Sequence, residues 1–344
     1  MGRKSMWRSV LVLALSGAVG CSDAQGGEVP DLGPPAPTAS IPRNIDINPR
    51  ILRRFRPLHA APDENVNEVA LGELLFFDPR LSHDGDLSCN SCHPLDRGGT
   101  DHGSVSIGTD GQRGQRNAPT VFNTGTQIAQ FWDGRSPDLE HQAMAPILDS
   151  SEMAMLDPAA VARILRVVPG YVAAFGRAFP GEPIDLPHAA RAIAAFERTL
   201  VTPSRWDRYL AGERSALDHT EQVGLKLFAD VGCIQCHTGE LVGGSTFQKA
   251  GRAAPWPNQR DQGRYLITHV DADRMVFKVP SLRNAASTAP YFHDGSAATL
   301  RTAITMMARY QLGKELAPHE VAAIEAWLIA LDAAPHQIDP PVLP

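Results

Sequence analysis

The sequence predicts a mainly α fold built as two tandem copies of one helical module, and three observations predict it. The pentapeptide CNSCH at residues 89–93 returns as CIQCH at 233–237, and the two strings hold four of the chain's five cysteines. Downstream of each, Pro119, Asn123, Phe131, Asp133 and Gly134 recur as Pro280, Asn284, Phe292, Asp294 and Gly295, all five pairs at one separation of 161 residues. Each copy then closes on an amphipathic stripe of helical period. In the first it is Ala192, Ile193, Phe196 and Leu200; in the second Val321, Ile324, Trp327, Leu328 and Leu331, behind a Pro318 suited to a helix start. With 344 residues the chain is long for a single core, and 43% apolar and 20% charged residues are ordinary for a globular protein. The net charge of −6 gives no electrostatic reason to bind nucleic acid, so function has to come from sites.

In chain order, residues 1–20 have a basic start and an apolar stretch from Val10 to Val19, too short to span a bilayer and suited to an export signal. The mature protein is therefore expected in the periplasm. Cys21 follows Ala18, Val19 and Gly20 as in a bacterial lipoprotein, so a lipid anchor there competes with a chance cysteine near an ordinary cleavage point. Residues 21–47, rich in Pro, Gly and Ala, read as a flexible tether. The first module is assigned to 48–203 and the second to 204–333; the tail, 334–344, is expected to pack back on the first module. Within each module a helix precedes the pentapeptide: LGELLF at 71–76 matches VGLKLF at 223–228 through Gly72/Gly224, Leu75/Leu227 and Phe76/Phe228.

Cys-x-x-Cys-His is the attachment signature of c-type haem, in which two thiols bind the porphyrin and the adjacent histidine ligates iron. Zinc would need four clustered ligands, and a redox Cys-x-x-Cys has no need of the histidine. Two covalent haems are thus expected, on Cys89, Cys92 and His93 and on Cys233, Cys236 and His237. Helices crossing beside a haem, with long loops over it, describe a cytochrome c-like domain. The second copy offers a sulfur ligand for the other side of the iron, since Leu300, Ile304 and Met307 share one helical face; Met306 and Met275 are alternatives. The same separation places Pro146 opposite Met307, and proline cannot ligate. Met144, two positions earlier, lies about 200° around a helix and should face away. One site therefore has a sulfur ligand where its twin keeps a position open, and that inequality predicts an enzyme.

Across residues 66 to the C-terminus the motifs LGELLFFDPRLS, CNSCH, GGTD, RNAPTVFN, IAQFWDGR, GRYLIT, PSLRNAASTAPYFHDG and QLG resemble those of the bacterial di-haem cytochrome c peroxidases. The resemblance implies a low-potential peroxidatic haem on His93 and a high-potential electron-transfer haem on His237, with Met307 as the latter's distal ligand. It implies Glu152 as the catalytic acid–base, Gln142 as a pocket residue and Trp132 as the aromatic between the haems. It further implies a calcium ion on Asn117, Thr288 and Pro290, hydrogen peroxide as substrate, a mono-haem cytochrome c or small copper protein as electron donor, and a homodimer. A tryptophan-modifying relative in the same superfamily has Tyr at the axial position, so Met307 favours peroxidase over oxidation of a protein or organic substrate; a pure electron carrier is the remaining alternative. One departure matters. Many members carry a blocking histidine in a SIGH string, and here SIGT puts Thr109 at that place, sixteen residues after His93. The first haem is then expected to be open without prior reduction, unless His102 or His83 takes the missing role.

Overall fold

The helices begin where a side chain can cap their free N–H groups, which is why the pattern of Asp and Thr before apolar runs carries over into structure. The computed structural model describes residues 45, 47–333 and 338–344. The predicted signal peptide, Cys21 and most of the tether lie outside the described residues. The longer helices are α1 (Val66–Phe76), α2 (Leu139–Leu148), α3 (Pro158–Arg166), α4 (Pro169–Ala178), α5 (Leu186–Thr199), α6 (His219–Val231), α7 (Leu300–Met306) and α8 (Pro318–Ile329). Caps are made by Asp138 to His141 N–H at 2.8 Å, Asp185 to His188 N–H at 3.0 Å, Asp218 to Glu221 N–H at 2.8 Å and Thr299 to Thr302 N–H at 3.2 Å. A two-stranded antiparallel ribbon, β1 (Phe247–Lys249) and β2 (Val276–Lys278), pairs Phe247 with Lys278.

The apolar residues gather in two clusters. One draws on α1 to α5, including Leu75, Phe76, Ile147, Tyr171, Ile193 and Phe196. The other draws on α6, α8 and the chain around them, including Trp206, Leu225, Phe228, Ile324 and Trp327. Each is organised by a close helix crossing. A methyl on Gly72 of α1 would meet the Ala192 carbonyl oxygen of α5 at 1.9 Å and Phe196 Cβ at 2.9 Å; one on Gly224 of α6 would meet the Ala323 oxygen of α8 at 1.9 Å and Trp327 Cβ at 3.0 Å. The crossings are the same contact made twice, and they pair Ala192 with Ala323 and Phe196 with Trp327. Gly72→Ala and Gly224→Ala are therefore expected to destabilise the holoprotein by about 1–3 kcal/mol each, since backbone rather than a flexible side chain must yield. Denaturant unfolding of the two variants checks this.

The loops repeat as closely as the helices. Asn123 and Asn284 both take the left-handed conformation, with φ of 61° and 59°. Their amides donate to one shared hydroxyl, Thr202 Oγ1, at 2.7 and 2.8 Å. Beyond them, the bridges Gln130 to Ser136 and Tyr291 to Ala297 make equivalent turns. The tail returns to the first cluster, where Ile338 and Leu343 pack and the Pro344 carbonyl accepts from Arg80 at 3.0 Å.

Candidate functional site

Each Cys-x-x-Cys-His forms a tight turn that carries its histidine inward. Cys89–Cys92 is a single helical turn, and the His93 N–H donates to Cys89 O at 2.9 Å; the second string makes a 3₁₀ turn, with the His237 N–H on Cys233 O at 3.0 Å. The imidazoles are anchored alike, His93 Nδ1 on Gly99 O and His237 Nδ1 on Val242 O, both at 3.1 Å. A carbonyl can only accept, so Nδ1 holds the proton and Nε2 keeps the lone pair a metal needs. Burial pushes the His93 imidazole down and that of His237 down to about 4, which favours the neutral form that a metal ligand requires. Burial also pushes the Cys89 and Cys92 thiols up, and Cys233 up to about 12.

All four cysteines are unpaired, and among the described residues no three of His, Cys, Asp and Glu converge to hold a bare metal ion. The second string opens instead onto a largely apolar cavity lined by Cys233, Cys236, His237, Met307 and Leu328. A flat apolar group held by two thiols and an imidazole fits this donor set, so the residues suit haem. Met306 and Met275 do not line the cavity, and Met307 does. α7 ends just before Met307, where the chain widens into a π-helical turn, Met307–Gln311. Such turns redirect a side chain out of helical phase and recur at functional sites.

α2 and α7 are the same element in the two copies, capped by Asp138 and Thr299 and starting at Leu139 and Leu300. Pro146 therefore occupies the position of Met307, and Gln142 that of Ala303, which lines the second cavity. Met144 lies on α2 as a half-buried side chain against the first cluster. Glu152 follows α2 in a turn fixed by its N–H to Asp149 O at 3.0 Å. Without a family to guide it, the residue reads as a solvated loop carboxylate. The structure instead half-buries it, and desolvation followed by Asp149 raises its pKa, with Arg135 opposing. Its charge also bears on the Cys92 thiol of the first string.

Thr109 is 3% exposed, its N–H donates to Glu152 O at 2.8 Å, and its Oγ1 has no hydrogen-bond partner among the described residues. Gly108 lets this loop dock, because a Cβ there would lie 2.2 Å from Ser151 O. His102 has both ring nitrogens on backbone carbonyls, Ala289 O and Arg97 O, each at 2.9 Å. His83 keeps 62% of its side chain exposed.

Between the two strings, Trp132 donates from Nε1 to Asn117 O at 2.9 Å and meets His293 edge-on at 6.3 Å. Asn117, Thr288 and Pro290 line one cavity, and Asn117 Nδ2 donates to Gly103 O at 2.8 Å. Among the described residues, two buried ionisable groups that make no salt bridge carry no signature in the motifs above. Lys278, on β2, donates to Ala129 O at 2.7 Å and to Gln127, and burial pushes it down to about 7. Glu197, on α5, is 4% exposed. A signal for Glu197 was present: it stands four residues after Ile193 and three before Leu200, on the stripe read as apolar.

Two equivalent helix crossings, each with its own Cys-x-x-Cys-His turn, define the class of two-module haem-binding proteins. The family model of the di-haem cytochrome c peroxidases matches residues 66–215. The cytochrome c551 peroxidase of Nitrosomonas europaea is 45% identical over 292 residues, 84% of this chain and 87% of that one. The methylamine utilization protein MauG of Methylorubrum extorquens is 36% identical over 85% of this chain and 87% of its own length. A solved MauG-like protein associated with microbial copper homeostasis superposes with a TM-score of 0.69 at 30% identity, over 87% of this chain and 96% of that one. The chain belongs to the di-haem cytochrome c peroxidase family, and membership implies two haems.

Proposed function

We propose that this protein is an exported, periplasmic cytochrome c peroxidase that reduces hydrogen peroxide to water. One H2O2, two protons and two electrons give two waters, the electrons arriving singly from a mono-haem cytochrome c or a small copper protein. Residues 48–203 and 204–333 act as tandem haem domains, with covalent attachment through Cys89/Cys92 and Cys233/Cys236 and with His93, His237 and Met307 as iron ligands. Homodimerisation, calcium on Asn117, Thr288 and Pro290, and lipidation of Cys21 belong to the same reading. The observation that carries it is the unequal pair at one structural position, Met307 against Pro146. Kinship with peroxidases at 45% identity supports peroxide as the substrate.

Haem, when bound, supplies the one-electron chemistry that breaks the O–O bond. The chain's own residues manage protons and access. Glu152 takes the proton from one peroxide oxygen and returns it to the other, a double role that its raised pKa suits. Arg135 opposes the rise in the Glu152 pKa, and the Gln142 amide orients the substrate. Trp132, held by its Nε1 donation to Asn117 O, serves as the aromatic bridge between the centres.

Thr109 stands where a blocking histidine would close the site, and a neutral hydroxyl is a poor ligand for ferric iron. Enzyme that has never been reduced is therefore expected to consume peroxide at full rate from the first turnover, and Thr109→His to impose a lag relieved by prior reduction. Stopped-flow assays of oxidised enzyme check both. A lag in the wild type, with only low-spin ferric signals in its electron paramagnetic resonance spectrum, would overturn the open-site reading.

A further inference from the structure

Glu197 is a carboxylic acid where its twin module has a hydrocarbon. The α1–α5 and α6–α8 crossings pair Phe196 with Trp327 through their equivalent contacts on Gly72 and Gly224, so Glu197 falls on Leu328. Leu328 lines the second cavity together with His237 and Cys233. Glu197 thus takes the corresponding position on α5, next to Phe196 of the cluster against which Cys89 packs, and its charge bears on the Cys89 thiol. Among the described residues its carboxyl has no hydrogen-bond partner, and a buried, unpaired carboxylate is held only at high cost in free energy. A helix at this position has no structural need for an acid, as Leu328 demonstrates in the twin.

We propose that Glu197 is a proton-exchanging group on the wall of the first haem compartment, tying the electron affinity of that centre to pH. The inference rests on the reading that Cys89, Cys92 and His93 hold haem. Glu197 takes up one proton from water as one electron from the donor protein reaches that centre, and releases it when the electron leaves. The pair's net charge stays constant, which avoids stranding an extra charge in an apolar wall.

The surroundings allow this. Burial pushes the carboxyl up to about 8; Arg198 on the same helix opposes the rise and Glu140 of α2 adds to it. Arg198 is itself engaged by Glu140 at 2.5 Å and by Glu64 at 3.7 Å, so it is not free to neutralise Glu197. On α1, Glu68 is paired with Arg191 at 2.7 Å, and on α3 Arg163 and Arg166 are exposed. Cys89 is the remaining titratable group facing it, and thioether formation removes that thiol.

The sign is fixed by electrostatics. An ionised carboxylate beside the ring favours the oxidised state, so the potential of the first centre should fall as pH rises through the carboxyl's range. Spectroelectrochemical titration of the holoenzyme from pH 6 to 10 tests it. Glu197→Gln should match wild type at the acid end, where the carboxyl is neutral, and lie progressively above it at the alkaline end. Glu197→Leu, which installs the residue of the second site, should follow the amide variant and replaces it if that variant does not fold. In wild type, reduced-minus-oxidised infrared difference spectra should show a protonated carboxyl band that either variant lacks. A difference between variant and wild type that is zero or constant across pH, or a wild-type difference spectrum without the band, overturns the proposal. Peroxide turnover is read separately: a Glu197-dependent potential without turnover would sink the peroxidase reading and leave this inference standing, and turnover with pH-parallel potentials would do the reverse.

Discussion

Replacing Glu152 by Gln is expected to lower peroxide turnover by a factor on the order of 10² to 10⁴, the range a positioned acid–base group contributes. The amide keeps the size of the side chain and the backbone contact from Thr109 N–H to Glu152 O at 2.8 Å, so haem content and fold should survive. The effect belongs to the proton alone, because glutamine can neither accept it nor return it. The pH profile carries the same information. Burial and Asp149 hold the Glu152 carboxyl above the ordinary carboxylate range. The ionised form must accept the first proton, so kcat/KM of the wild type should fall on the acid side through that raised range, and the limb should vanish in the variant. A peroxide turnover unchanged in Glu152→Gln would remove Glu152 from the proton path, and no turnover in either protein would leave an electron carrier, which has no use for a proton shuttle at either centre.

Met307→His is expected to lower the potential of the second centre by roughly 0.2–0.4 V, within the ~0.8 V span that axial ligands cover. Thioether sulfur favours the reduced iron and imidazole nitrogen the oxidised, so the variant's second centre no longer draws electrons from a high-potential cytochrome. Peroxide turnover with such a donor should collapse, while turnover with a strong small-molecule reductant persists. Optical titration should show loss of the sulfur-to-iron charge-transfer band together with the drop in potential. Met306→Leu, one residue away and outside the cavity lining, should leave both intact. If Met306→Leu and Met307→His have their effects exchanged, the π-helical turn at Met307–Gln311 does not present the side chain assigned here.

These two variants act on residues of unequal visibility. Met307 could be placed from helical phase because Leu300, Ile304 and Met307 share a face, but phase alone left Met306 and Met275 in contention. The cavity lining separates them, since the π turn sets Met307 apart from a regular helix. Glu152 had no local signature. A carboxylate in the run DSSEMAM looks solvated, and its raised pKa depends on α2, the docked Thr109 loop and Arg135, which come together only on folding. Glu197 shows the opposite failure: the stripe was read correctly as the buried face of α5, and the one ionisable residue on it was passed over.

By itself the sequence determined the duplication, the helical frame and the two Cys-x-x-Cys-His strings, because each rests on short-range rules: a period of 3.6 residues, a cap one turn before an apolar run, a histidine adjacent to a thiol. Only the tertiary structure decided which charges are stripped of water. The Asn123 and Asn284 amides meet on one Thr202 hydroxyl, Thr109 closes on Glu152, and Glu197 is buried on α5 at the position that Leu328 holds in the second module. Desolvation belongs to everything that surrounds a group, and a linear chain does not say what its surroundings will be.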